Sequence, residues 1–271
     1  MKSYGKAFRL IGGKLSGLKP LVILFLFFEA LSFFSIIPAR IFPAPSRIAK
    51  GIWELASYGM PPGYLLFGHF TSSLVRVFFG FTAALLAAFP LGVIIGRSEK
   101  IKKLINPLIE MVRPIPPLAW LPISVLWFGL GIISKSFLIF LGAFFPILSN
   151  TVLGVMSVDR AIIDGSLTLG AERRSLLLKV IVPASMPSVF TGMRVGLGIG
   201  WMTLVAAELT GVKSGYGLGY MIMTARDLQR IDLIFAGMVI IGLSGYLMDS
   251  GISLLEKKVL AWRMDDTAED R

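Results

Sequence analysis

Apolar positions in this chain gather into long, almost unbroken runs divided by short polar or glycine- and proline-bearing stretches. A half-buried strand alternates every second residue and a soluble helix keeps one polar face; runs of this length do neither. A helix crossing a bilayer needs about 20 mostly apolar residues. Six segments meet or approach that length: 20–37, 73–95, 114–130, 136–156, 188–209 and 233–254. The first, PLVILFLFFEALSFFSII, follows Lys2, Lys6, Arg9, Lys14 and Lys19, as a signal peptide would. Its long apolar run, and the lack of a small-x-small cleavage site in the PARIFPAPSR that comes next, make it a membrane anchor instead. The third carries Pro114, Pro116, Pro117 and Pro122, each of which removes a backbone donor. Irregular backbone at membrane depth survives only where protein or a water-filled cavity covers it. This segment is therefore either a kinked helix buried in the bundle or one wall of a pathway.

Composition agrees with an all-α membrane protein. Charged residues are 16% of the 271, against about 25% in soluble domains, and mean hydropathy is +0.78. The net charge of +11 would suit nucleic acid, but its distribution follows the positive-inside rule. With the N-terminus inside, the outer connections hold only Arg40, Arg47, Lys50, Lys135, Lys213, Arg226 and Arg230, and the other connecting Lys and Arg lie inside. The expected topology is N-in and C-in: a cytoplasmic N-terminus 1–19, an external loop 38–72, a transmembrane domain 73–254 with a cytoplasmic loop 157–187, and a cytoplasmic tail 255–271. Zero cysteines and one histidine, His69, exclude disulfides and thiolate chemistry and leave no constellation for a metal or a catalytic triad.

The loop 157–187 interrupts the apolar pattern with DGSLTLGAERRSLLLKVIVP at 164–183. Ile162, Ile163, Leu167 and Leu169 give one short helix an apolar side, and Gly170 ends it as a C-cap glycine. Ala171 restarts a helix with Glu172 in its first turn, where the helix dipole favours an acid, and Pro183 and Pro187 limit its continuation into the fifth span. Two amphipathic helices too short to cross the membrane result. They serve either as an interfacial elbow whose charges solvate it or as a docking surface for a cytoplasmic partner.

The spacing of this loop resembles the cytoplasmic signature of ATP-binding-cassette importer permeases: EAA, three residues, Gly, nine residues, then I-x-L-P. Here Asp164-Gly165-Ser166, Gly170 and Val180-Ile181-Val182-Pro183 stand at those intervals, with DGS in place of EAA. FPAPSRI, SLVRVFFGF, RPIPPLAWLPISVLWFG, TGMRVGLGIGWMTLVAAEL and the closing LLEKKVLAW extend the resemblance over 38–262, to the nitrate/sulfonate/taurine/bicarbonate branch. The resemblance implies a type I importer permease fold with a coupling-helix loop. Its partners would be a second copy of the permease, a cytoplasmic ATPase dimer, an external solute-binding protein and membrane lipid, with no nucleic acid. Asp164, Gly165, Ser166, Leu167, Leu169, Gly170, Ala171, Glu172, Arg173 and Pro183 would dock the ATPase. ATP would bind that partner, leaving this chain without cofactor, metal or catalytic site. The chain indeed has no G-x-x-x-x-G-K-[ST], since GGKLS at 12–16 lacks the upstream glycine and the Ser or Thr after the lysine. The solute would be a small anion of nitrate, sulfonate, taurine or bicarbonate type, with a thiamine-precursor-like pyrimidine as the alternative.

Pathway candidates are Arg76, Trp120, Arg194 and Glu208. A charge at the bilayer centre is costly. Arg194, a turn or two from the inner end of its span, has the option of snorkelling; Arg76, near an outer end, faces either a headgroup or an anion; Glu208 pairs with one of them or stands at an external gate. Gly192, Gly196 and Gly200, like Gly92 and Gly96, recur at four-residue spacing, which brings helices close together. The glycine-rich stretch 211–222 reads as an external gating or docking loop. Two other classes fit less well: a membrane-embedded enzyme lacks the necessary side chains, and a proton-coupled carrier would need more spans and an internal repeat.

Overall fold

The computed structural model describes residues 20, 22–34, 38, 40–210 and 215–264, and among them every regular element is helical. The basic stretch 1–19 with its GGKLS, parts of the first apolar run, 211–214 of the glycine-rich loop and the tail 265–271 lie outside the described residues. In chain order the helices are α1 (Val22–Phe33), α2 (Pro45–Ser57), α3 (Leu66–Arg97), α4 (Glu99–Val112), α5 (Leu121–Phe128), α6 (Ile132–Met156), α7 (Arg160–Thr168), α8 (Arg173–Leu176), α9 (Val182–Leu209), α10 (Leu218–Asp227), α11 (Ile231–Val259) and α12 (Ala261–Met264). They pack as two units, Met1–Phe67 with Met221–Ile240 and Gly68–Tyr220 with Ile241–Arg271.

In the first unit Glu29, the one acid of the first apolar run, accepts hydrogen bonds from the backbone N–H and the hydroxyl of Ser46 at 3.0 and 2.6 Å. Its charge thus holds the entrance to α2, where Pro45 supplies a pre-set φ. The stretch 38–72, expected as a loop, contains this helix because Gly51 and Leu55 have a partner: a Cβ at Gly51 would lie 3.2 Å from the Asp232 carbonyl. Arg230 then forks onto Glu54 at 3.0 and 2.7 Å while also bonding Asp232. These bonds, Asp232's foremost and then Glu54's, hold the Arg230 guanidinium protonated even more firmly than usual.

In the second unit α6 runs between α3 and α9, and glycines on the outer two face it. An added Cβ would approach Thr151 Cβ to 2.6 Å at Gly92, Val155 Cβ to 2.7 Å at Gly96, and the Ala143 carbonyl to 2.9 Å at Gly196. Ala84, Ala88, Ile95, Ala143, Ile147 and Leu148 are buried between the three backbones. Helix packing without a hydrophobic drive depends on such close approach. Gly196→Leu is accordingly expected to destabilise by about 1–3 kcal/mol through overpacking. Gly198→Leu, two residues away where an added Cβ meets nothing within 4 Å, should melt at or above the parent temperature. Thermal denaturation of the two purified variants in detergent checks the contrast, and equal melting would remove the packing explanation.

Among the described residues, four helices are long and apolar enough to cross a membrane: Leu66–Arg97, Ile132–Met156, Arg173–Leu209 and Ile231–Val259. Each overruns the segment expected from hydropathy, because helical hydrogen bonding continues past the apolar stretch into polar ends. The proline-rich third segment departs most. It is a 3₁₀ turn, Pro117–Trp120, leading into the eight residues of α5, and the axis is bent 79° from the preceding α4. Proline's missing donors prevent one straight helix here. The residues before it, expected as a mere connection, form α4, started by Ser98, whose hydroxyl accepts from the Ile101 N–H.

The second helix of the loop 157–187 also differs from expectation. It does not stop at Pro183: α8, a π-helical turn Leu177–Ile181 and α9 make one helix of 37 residues. The Val182 N–H reaches back five residues to the Leu177 carbonyl. The wider turn thus gives up the four-residue register just where the proline has no N–H to offer. Glu172 stands at the N-cap rather than inside the first turn, and its side chain makes no capping bond.

Candidate functional site

Three places in the second unit collect the functional side chains. The first is the bend between α7 and α8. Asp159 caps α7, accepting from the Ala161 N–H at 2.9 Å. The other end is a Schellman turn: the Gly170 N–H donates to the Leu167 carbonyl at 2.9 Å and the Ala171 N–H to the Ser166 carbonyl at 3.0 Å. Gly170 adopts φ +83°, the left-handed conformation read for it from sequence. Ser166 and Thr168 turn their hydroxyls back onto the carbonyls of Ile162 and Asp164, so neither projects a free donor. Asp164, Gly165, Leu167, Glu172 and Arg173 are exposed, and Leu169 at the tip is 90% exposed. The base is firm: Leu176 and Ile181 are buried with Val93 and Val155, and Ile163 packs against them. The loop is therefore anchored at its base and leaves a large apolar side chain uncovered at its turn.

The second place is a buried charge network. Arg76 on α3 and Glu208 on α9 are 2% and 1% exposed, and Arg76 Nη1 lies 2.5 Å from Glu208 Oε1. Ser73 donates to the same carboxylate, and the Gly219 N–H donates to Oε2 at 2.9 Å. Arg76 Nη2 donates to the Tyr216 carbonyl at 2.7 Å, and the Leu218 N–H donates to the Ser73 hydroxyl at 3.1 Å. His69 Nδ1 meets the Gly217 backbone at 2.9–3.0 Å. The backbone of 215–219 therefore lies directly on the ion pair, so closely that a Cβ at Gly217 would sit 2.7 Å from Glu208 Cδ. Of the partners weighed for Arg76, the one present among the described residues is Glu208. Lys135, assigned from sequence to an outer connection, is 3% exposed in the first turn of α6 and close enough to interact electrostatically with both members of the pair. Nothing in the local sequence signals it, because a lysine near a span end reads as a loop charge until the helix is known to begin at Ile132.

The third place is a cavity of about 280 Å³ lined in part by Arg113, Trp120, Pro146, Ser149 and Asn150. Trp120 was expected on a pathway; Arg113, Ser149 and Asn150 were not. Arg194 is elsewhere, paired with Glu256 of α11. The four pathway candidates thus separate: Arg76 joins Glu208, Trp120 lines the cavity, and Arg194 ties α9 to α11.

Comparison with known proteins shows the family of the chain. The model of a family described as "Binding-protein-dependent transport system inner membrane component" matches residues 88–261. A provisionally named ABC transporter permease of Methanocaldococcus jannaschii is 51% identical over 191 residues, 70% of this chain and 71% of that one. The taurine transport system permease protein TauC of Escherichia coli is 35% identical over 223 residues, 81% and 79% of the two chains. The nitrate import permease protein NrtB of a Synechocystis strain is 35% identical over 189 residues, 70% and 68%. Among solved structures, an inward-facing methionine transporter, MetNI, shares the fold with a TM-score of 0.57 at 18% identity, over 80% of this chain and 98% of that one.

Proposed function

We propose, from the premise that this chain belongs to the family of binding-protein-dependent transport system inner membrane components, which solute it passes and how it is driven. The chain is the inner-membrane permease subunit of an ATP-driven importer, and ATP hydrolysis belongs to a separate subunit. It works with an ATPase and a solute-binding protein. The solute is a small anion of nitrate, sulfonate or taurine type. The observation that carries this reading is the similarity, along most of the chain, to permeases named for taurine and for nitrate.

Two copies of the chain form the pathway, over a pair of ATPases. Each copy has six spans, N-in and C-in, and the loop 157–187 meets the ATPase through Asp164, Gly165, Ser166, Leu167, Leu169, Gly170, Ala171, Glu172 and Arg173, with Pro183 closing the motif. The exposed Leu169 beside a buried base supports that role. The network around Arg76 and Glu208 closes the outer side, and Trp120 lies on the route.

Two measurements test the reading. The permease, reconstituted with its ATPase and binding protein, should accumulate labelled nitrate or taurine only when ATP is supplied; accumulation of a pyrimidine and of neither anion would replace the solute assignment. The chain has no cysteine, so Ser175→Cys and Ser57→Cys each give a single label. In sealed right-side-out vesicles an impermeant maleimide should react with the second and spare the first. The opposite pattern overturns the orientation.

A further inference from the structure

We infer that the cavity bounded by Arg113, Trp120, Ser149 and Asn150 is a binding station for the anionic group of the solute within the permease itself. The inference rests on the reading of the chain as a permease for small anions and adds the place and the donors. Four side chains from three stretches of sequence converge there. Arg113 follows α4, Trp120 ends the 3₁₀ turn, and Ser149 and Asn150 lie on α6. All four carry hydrogen-bond donors, and no carboxylate lines the cavity. Among the described residues, the side chains of Arg113, Trp120 and Ser149 spend none of their donors on the protein. Asn150 gives one amide hydrogen to the Pro146 carbonyl at 2.9 Å and keeps the other.

The remaining walls are apolar, Phe145 and Val195 among them, and of the four donor-bearing residues Arg113 is the exposed one. A volume of about 280 Å³ stands at the small end of ligand pockets, roughly 300–1,000 Å³, and suits an inorganic oxyanion or a two-carbon sulfonate. The cluster holding Arg76 is the opposite case, because its carboxylate already occupies the cation. A station on a pathway must also release its solute. A single cation with neutral donors binds loosely enough for that, where a pair of arginines would trap the anion.

The absence of cysteine allows the field in the cavity to be read without transport. Ser149→Cys is introduced into the full-length permease, purified with its ATPase and free of nucleotide. It is reacted with an anionic methanethiosulfonate, the ethylsulfonate, and a cationic one, the ethyltrimethylammonium. Rates are divided by those of 2-mercaptoethanol in the same buffer. The normalised rate should favour the anionic reagent, and Arg113→Gln should reduce that preference by about fivefold or more, whereas Arg113→Lys retains most of it. Asn150→Cys gives a second reporter should the first fold poorly. A normalised ratio of one that Arg113→Gln leaves unchanged at both positions overturns the station. An intact anion preference in a permease that takes up neither nitrate nor taurine keeps the station and fails the solute assignment, so the two readings fail separately.

Discussion

Glu208→Gln is expected to lower the stability of the permease by about 3–5 kcal/mol, the usual result of removing one partner of a buried ion pair. The substitution keeps the shape of the side chain, so packing does not account for the loss. What it removes is the charge that Arg76 meets at 2.5 Å and that Lys135 also senses. The amide still accepts hydrogen bonds, but it has to turn a donor toward Arg76 or toward the Gly219 N–H. The double variant Arg76→Met/Glu208→Leu should recover much of the loss, because it deletes both charges together. Thermal denaturation in detergent, followed by size-exclusion of the folded fraction, measures all three proteins. A Glu208→Gln permease that melts with the parent would mean that the pair contributes nothing net.

Gly170→Val should give a permease that inserts and folds but no longer retains its ATPase, with ATP-driven uptake abolished. An added Cβ at Gly170 meets nothing within 4 Å, so the cost is conformational and not steric crowding by neighbours. At φ +83° an L-residue places Cβ against its own backbone, at about 1–2 kcal/mol, and a β-branched one fares worst. The loop escapes this by leaving the left-handed region. That breaks the two Schellman hydrogen bonds and changes the direction in which the chain leaves the exposed Leu169. Gly170→Asn, which tolerates the left-handed conformation, should retain most of the binding. Pull-down of the ATPase with each purified variant, beside solute uptake, decides. A Gly170→Val permease at parental level in both assays would leave the bend a mere elbow.

The long apolar runs were legible because a bilayer demands them, and Gly170 was legible because only a few residues end a helix in that way. Arg76 was recognised as a charge in need of a partner, but its partner lies 132 residues further along the chain, and no local pattern could choose between Glu208, a headgroup and an anion. Lys135 was hidden by its position at a helix start. The cavity was hidden by its dispersal over α4, the 3₁₀ turn and α6, since only the bend at the prolines brings Arg113 and Trp120 to the side of α6 that bears Asn150. Pro183 misled in the other direction. A proline ordinarily ends a helix, and the π turn that carries the helix past it has no composition of its own.

That uninterrupted helix has a mechanical meaning. At about 1.5 Å per residue, Arg173 to Leu209 is a rod of roughly 55 Å. One tip carries Arg173 and the other carries Glu208, with Gly192, Gly196 and Gly200 seated on α6 between them. Those three side-chain-free contacts make a smooth bearing, on which the rod can rock as a lever with α6 as its fulcrum. A push of a few ångströms at the Arg173 tip returns as a displacement of opposite sense at the Glu208 tip. There it bears on the carboxylate that holds the backbone of 215–219. The π turn lies on the longer arm, near the Arg173 tip, so any slack in the lever is taken up at that end and not beside Glu208.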